Sequence, residues 1–141
     1  MVDGKRSLFV DTSGWIEVFG KSNPSHEMAE SILARAQKER RPIITTNYVI
    51  TEFVGKGAKS CRLTRRELFD VVDRISKLPG VEVIHIGKES HTFAITYLRG
   101  RLDKEWSLVD ATSFNVMTQR SILDALTTDH HFEQAGFIKL L

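Results

Sequence analysis

The chain has 141 residues, 41% hydrophobic and 27% charged, which suits one globular domain with a real core and excludes a disordered chain. Its 20 Lys and Arg against 18 Asp and Glu leave a net charge of +2, too small for charge alone to argue for a nucleic-acid partner. The one cysteine, Cys61, excludes an internal disulfide and a cysteine-based zinc cage, and it fits a reducing, cytoplasmic setting. No run of roughly 20 apolar residues is present to span a bilayer. The N-terminus meets an acid at Asp3 and carries no signal-peptide pattern.

Ser7 to Val10 reads as a first, buried strand that ends at Asp11. Ser13 to Phe19 reads as a short helix, closed by Gly20 and the turn Lys21 to Pro24. Ser25 caps a second helix with Met28, Ile32, Leu33 and Ala36 at helical spacing, ending in the basic run Lys38 to Arg41. Pro42 opens a strand, Ile43 to Thr45, and Thr46 or Asn47 caps a third helix over Tyr48 to Lys59. Thr64 and Glu67 form a capping box for a fourth helix whose buried stripe is Leu68, Val71, Val72, Ile75 and Leu78. Pro79-Gly80 stops it. Val81 to Ile86 alternates as a strand, and Lys88 to Arg101 reads as a helix. Ser107 with Asp110 makes a second capping box, for a helix running to Arg120. A strand at Ile122 to Leu126, a short helix at His130 to Ala135 and a strand at Phe137 to Leu140 close the chain. Strands alternating with helices predict an α/β fold, a central and mainly parallel sheet flanked by helices, in a single domain over 1–141.

In such a sheet, sites form at the carboxyl ends of strands. Asp11 follows the first strand, Glu52 lies in the first turns of the helix after Ile43 to Thr45, and Asp129 follows the strand Ile122 to Leu126. Asp110 opens a helix, and helix N-termini also face ligands. Each acid alone fits a solvated surface charge, and Asp110 a mere cap. Together at one edge they would repel one another unless a cation intervened. A hard divalent cation, Mg²⁺ or Mn²⁺, takes such oxygen ligands, lowers the pKa of a bound water and neutralises phosphate charge.

The segments Phe-Val-Asp-Thr-Ser at 9–13 with Trp15, Thr-Glu-Phe at 51–53, Ser-Leu-Val-Asp-Ala at 107–111 and Leu-Thr-Thr-Asp-His-His-Phe at 126–132 resemble the four acidic motifs of PIN-domain ribonucleases. The likeness extends over essentially the whole chain and is strongest to the VapC toxins of type II toxin–antitoxin systems. It implies a Rossmann-like, three-layer PIN fold and Mg²⁺- or Mn²⁺-dependent hydrolysis of RNA. It also implies a homodimeric toxin neutralised by a cognate VapB-type antitoxin. The acids carried over are Asp11, Glu52, Asp110 and Asp129, as metal ligands and catalytic residues. Thr12 or Ser13 matches the hydroxyl residue after the first acid, and Thr128 the residue before the last, where many relatives have Asn.

Lys56 and Lys59 share a helix face with Glu52, and with Arg62, Arg65 and Arg66 they suit a basic track for RNA phosphates. Lys5 and Arg6 lie at the other end of the first strand and read as surface charges. Asp103 reads as a loop acid paired with Arg101 or Lys104. His131 reads as a helix-start residue, because the His130-His131 pair lacks HExxH spacing for zinc. Trp15 and Phe19 are expected to pack on the sheet or at an interface, and Trp106 to anchor the helix that follows it. Tyr48, Phe53, Phe69, Phe93 and Phe114 read as core. Two other functions compete. A receiver-like Mg²⁺-binding signalling module would need an acid pair at Asp11 and a Lys where Asp129 stands. A non-catalytic RNA-binding scaffold would not need four intact acids.

Overall fold

A computed structural model describes residues 6–141; Asp3 and Lys5 lie outside them. The strands are β1 (Leu8–Val10), β2 (Ile43–Thr46), β3 (Val81–Ile84), β4 (Asp124–Leu126) and β5 (Ile138–Lys139). Between them run the helices α1 (Thr12–Phe19), α2 (His26–Lys38), α3 (Asn47–Ser60), α4 (Arg65–Lys77), α5 (Lys88–Arg99), α6 (Leu108–Gln119) and α7 (His130–Gln134).

The five strands form one sheet in the order β3-β2-β1-β4-β5, with every pair parallel. The chain leaves β1 toward β2 and β3, then returns to β4 on the other side of β1. The order reverses between β1 and β4, and a crevice outside the carboxyl ends of strands opens at such a reversal. Asp11 and Asp129 follow the two strands that flank it.

β1 and β2 are buried on both faces, which is why they read as unbroken apolar or Thr-containing runs rather than alternating ones. β3 is a sheet edge and only partly buried. Its pairing stops at Ile84, short of the expected Ile86, which instead donates its N–H to the Asn47 side chain. β4 likewise begins at Asp124, two residues later than the pattern suggested. Both predicted capping boxes form, at Thr64/Glu67 and Ser107/Asp110, and Thr46 caps α3.

The core joins Leu8, Phe9 and Val10 of β1 to Trp15, Phe53, Leu68, Met117 and Phe132. Trp15 is fully buried, so it belongs to the core and not to an interface. Its indole N–H donates to Thr45 Oγ1 at 3.1 Å, and that hydroxyl donates to the Val10 carbonyl at 2.9 Å. Three residues read as apolar packing face solvent instead: Met28, Phe69 and Phe93 are 56%, 44% and 55% exposed. In α2 the adjacent Ala29 takes the inward position expected of Met28. Phe69 stands under the Arg65 guanidinium, 5.0 Å from its centroid. Tyr48 is half-buried, with its hydroxyl on His91 Nδ1.

At the amino ends of the central strands, Arg6 and Arg41 each hold Asp124 at 2.9 Å, so Arg6 is an ion-paired surface charge. Asp103 pairs with Arg101 at 3.1 Å. Trp106 anchors α6 as expected, buried between Tyr97, the Arg101 guanidinium and Phe114.

Candidate active site

Asp11 follows β1 directly and stands at the N-cap of α1, yet its side chain caps no backbone N–H. The carboxylate is thereby left for other partners. Oδ2 accepts the Thr127 hydroxyl at 3.1 Å, while Oδ1 is buried with no partner among the described residues. Only 4% of the residue is exposed. Burial pushes its pKa up to about 7 against the pull of the nearby Thr12 backbone, the charges of Asp110 and Glu52 add to the rise, and the Thr127 hydroxyl opposes it.

Asp110 is the third residue of α6, and its Oδ2 accepts the Ser107 N–H at 3.0 Å in the capping box. Burial raises its pKa, the Ser107 N–H opposes that, and the Asp129 charge raises it further. Asp129 caps α7: its Oδ1 accepts the His131 N–H at 2.9 Å. Glu52 projects from α3, half-buried, with Lys56 Nζ at 3.9 Å. The mutual influence of these charges links Asp11 to Glu52 and Asp110, and Asp110 to Asp129. One edge of the sheet therefore gathers all four acids named from the sequence.

Two further side chains complete the cluster. The Thr127 hydroxyl gives its one proton to Asp11, so Ser13 Oγ, 2.9 Å away, must donate to Thr127. Ser13 in turn accepts the Thr128 N–H at 2.9 Å, and Thr127 Oγ1 accepts the Asp129 N–H at 3.0 Å. The chain Thr128 N–H, Ser13, Thr127, Asp11 thus ties the end of β4 to the start of α1. Gly14 permits this closeness, since a Cβ there would meet the Leu126 carbonyl oxygen at 2.1 Å. His131 is the second addition: its Nδ1 lies 3.1 Å from Asp110 Oδ2 and 3.4 Å from Asp129 Oδ1.

The supporting hydroxyls therefore differ from those expected. Thr128 lies past the end of β4 with its side chain exposed, and Thr127, one residue earlier and fully buried, does the work assigned to it. Thr12 Oγ1 turns to the Val49 carbonyl at 3.5 Å, leaving Ser13 as the hydroxyl of that pair within the network. His131 does start α7, as expected, but also bridges two acids. The Thr-Thr-Asp run leaves open which Thr faces inward. The reach of His131 to Asp110 crosses between two helices, which no local pattern discloses.

The basic residues are placed less tightly. Lys56, Lys59 and Arg62 are exposed, and only Lys56 touches an acid of the cluster. At 1.5 Å rise per residue, Lys59 stands about 10 Å along the axis of α3 beyond Glu52. Arg62 follows the C-cap Cys61 with φ 55°, beyond the end of α3 remote from Asn47.

The fit to a divalent ion can be judged from the acids themselves. A buried carboxylate oxygen without a donor, beside acids that raise one another's pKa, is an arrangement that a hard cation relieves. The chemistry of these carboxylates suits such an ion.

Residues 8–138 match the family model described as the PIN domain. Over 134 residues, 94% of this chain and 97% of theirs, the chain is 30% identical to the 23S rRNA-specific endonuclease VapC20 from two strains of Mycobacterium tuberculosis. It also superposes on the crystal structure of Mycobacterium tuberculosis VapC20, a sarcin–ricin loop cleaving toxin. The TM-score is 0.80 at 28% identity, with 94% of this chain and 98% of that one covered. With a parallel α/β sheet, four acids at its switch point and a family match over nearly its whole length, the chain belongs to the PIN-domain family and is a nuclease of the VapC type.

Proposed function

We propose that this PIN-domain nuclease hydrolyses RNA phosphodiester bonds at the cluster of Asp11, Glu52, Asp110 and Asp129, which holds a divalent ion. The observation that carries the reading is the buried, unpartnered Asp11 Oδ1 among mutually repelling acids. Mg²⁺ is the ion in the cell, and Mn²⁺ substitutes for it. When bound, the ion supplies a water of lowered pKa and offsets charge on the phosphate.

The chain's own residues supply position. Thr127 holds Asp11 Oδ2 and leaves Oδ1 without a protein donor, so Oδ1 would be available to hold the ion, with Ser13 fixing Thr127. The Ser107 N–H orients Asp110. An acid of the cluster orients the attacking water. Attack displaces the 3′ oxygen and leaves 5′-phosphate and 3′-hydroxyl ends. No described side chain is placed as a covalent nucleophile: burial raises the Cys61 thiol to about 11, and Ser13 is engaged with Thr127.

Lys56, Lys59 and Arg62 give phosphate contacts that are independent of sequence. The relatives' stated substrate makes the sarcin–ricin hairpin of 23S rRNA the first RNA to try. The protein acts in the cytoplasm as a homodimeric toxin that a VapB-type antitoxin restrains. Among the described residues no helix is long and apolar enough to cross a membrane.

The test incubates the protein, free of antitoxin, with end-labelled sarcin–ricin hairpin, transfer RNA and messenger RNA in Mn²⁺, and maps the product ends. Cleavage of one class, with 5′-phosphate ends and abolished by EDTA, is expected. Cleavage that persists in EDTA, or products with 2′,3′-cyclic phosphate, would contradict the reading.

A further inference from the structure

Tyr48 stands in α3 one turn before Glu52, and His91 lies in the first turn of α5. Both helices start at the carboxyl edge of the sheet, where β2 and β3 end. The Asn47 side chain accepts the Ile86 N–H at 2.6 Å and so ties the start of α3 to the chain entering α5. Tyr48 and His91 meet across this tie. The Tyr48 hydroxyl reaches His91 Nδ1, and the rings stand edge to face with centroids 6.0 Å apart at 75°. Tyr48 is half-buried and His91 is exposed. Residues four apart on a helix share a face, so Tyr48, Glu52 and Lys56 form one stripe about 12 Å long. Lys56 pairs with Glu52 at 3.9 Å, and the Glu52 charge acts on the buried Asp11. The ring pair therefore borders the acid cluster on the side of Glu52 away from Lys56.

We propose that Tyr48 and His91 form a subsite for an unpaired RNA base next to the cleaved phosphate. The proposal rests on the nuclease reading and names the form of RNA that the site takes. Unpaired bases stack on aromatic and imidazole rings whatever their sequence, whereas bases in a duplex have no free face to offer. The edge-to-face arrangement leaves an open corner between the two rings rather than a closed stack. With the Tyr48 hydroxyl donating to Nδ1, the neutral imidazole carries its proton on Nε2. That N–H has no partner among the described residues and is free to donate to a base nitrogen or carbonyl. Lys56, on the far side of Glu52, meets the backbone as a charge. Base and phosphate contacts thus flank the acid from opposite sides.

The probes are two short fluorescein-labelled single strands of equal length, one RNA of mixed sequence and one abasic throughout. The full chain is titrated against each in EDTA, and anisotropy reads the binding. The wild type is expected to hold the base-bearing strand at least about tenfold more tightly. Tyr48→Ala and His91→Ala should each lose most of that difference and hold the abasic strand as the wild type does. Lys56→Ala should weaken both strands alike. Tyr48→Phe keeps the ring without the hydroxyl, so its preference for bases should stay within about threefold of the wild type. A Tyr48 that only tied α3 to α5 would fail as Phe and as Ala alike. Equal affinity of the wild type for the two strands overturns the proposal and requires no variant to fold. A base preference that survives both alanine variants overturns it too. RNA cleavage in Mn²⁺ alongside equal affinities would leave the nuclease reading standing. Base-dependent binding with no cleavage of any RNA would overturn that reading and leave the base site.

Discussion

A buried carboxyl with its pKa pushed up to about 7 makes the metal-free protein sensitive to pH in a definite direction. In the unfolded chain Asp11 titrates near 3.8. Between that value and about 7 the folded state binds more protons than the unfolded one, so stability falls as pH rises through this window and stays reduced above it. The Asp11 contribution is roughly 4 kcal/mol at most, at 1.36 kcal/mol per pKa unit. Urea unfolding in EDTA is expected to give a lower midpoint at pH 8 than at pH 5.5, and Asp11→Asn should remove much of that difference. Adding Mn²⁺ should restore the wild type at pH 8 and leave Asp11→Asn nearly unchanged. A wild-type midpoint that rises toward pH 8 in EDTA would show that Asp11 is not strained by its burial. Thr127 opposes this strain, because its hydroxyl stabilises the ionised Asp11. Thr127→Val should cost about 1–3 kcal/mol of stability, since Ser13 Oγ and the Asp129 N–H lose a buried partner. It should also move the fall of stability with pH in EDTA to higher pH, and Thr127→Ser should bring it back. A purely structural role would lower stability without moving the pH profile.

Helix α1 is set against β4 by Gly14, whose missing side chain leaves room for the Leu126 carbonyl. Gly14→Ala places a methyl group 2.1 Å from that oxygen and should cost more than about 3 kcal/mol, or prevent folding. Gly55 in α3 has nothing within 4 Å of a Cβ, and Gly55→Ala should stabilise by about 0.8–1 kcal/mol through helix propensity. Chemical denaturation of the two variants gives the comparison, and equal effects would remove the close-approach account of Gly14. Elements were also where the sequence was easiest to read. The capping boxes Thr64/Glu67 and Ser107/Asp110 and the doubly buried run Leu8 to Val10 encode local geometry directly. Strand ends were harder, because pairing and not composition decides them. Ile86 looks like strand yet bonds to Asn47, and β4 starts only where β1 and β5 both reach it. Phe69 and Phe93 misled for a related reason: an apolar residue on a helix flank need not face the core.

At the scale of the whole molecule, strand order places the chemistry. The reversal between β1 and β4 brings Asp11 and Asp129 to neighbouring strand ends, although 118 positions separate them in the numbering. The four acids were legible because three of them close a strand or open a helix, and Glu52 lies in the early turns of the helix that follows β2. Thr127 and His131 were not, because their roles depend on contacts between separate elements: Thr127 with Ser13 and Asp11, His131 with Asp110. The reading as a metal-dependent nuclease stands or falls on those acids acting together on one ion. The most direct measurement is the single-turnover rate of RNA cleavage, taken at saturating Mn²⁺ and in EDTA, for the wild type and for Asp11→Asn. The expected result is a fall of at least about a thousandfold on either change, some 4 kcal/mol of lost transition-state stabilisation. Addition of EDTA to Asp11→Asn should give little further loss. A rate within tenfold of the wild type in Asp11→Asn, or in EDTA, would contradict it.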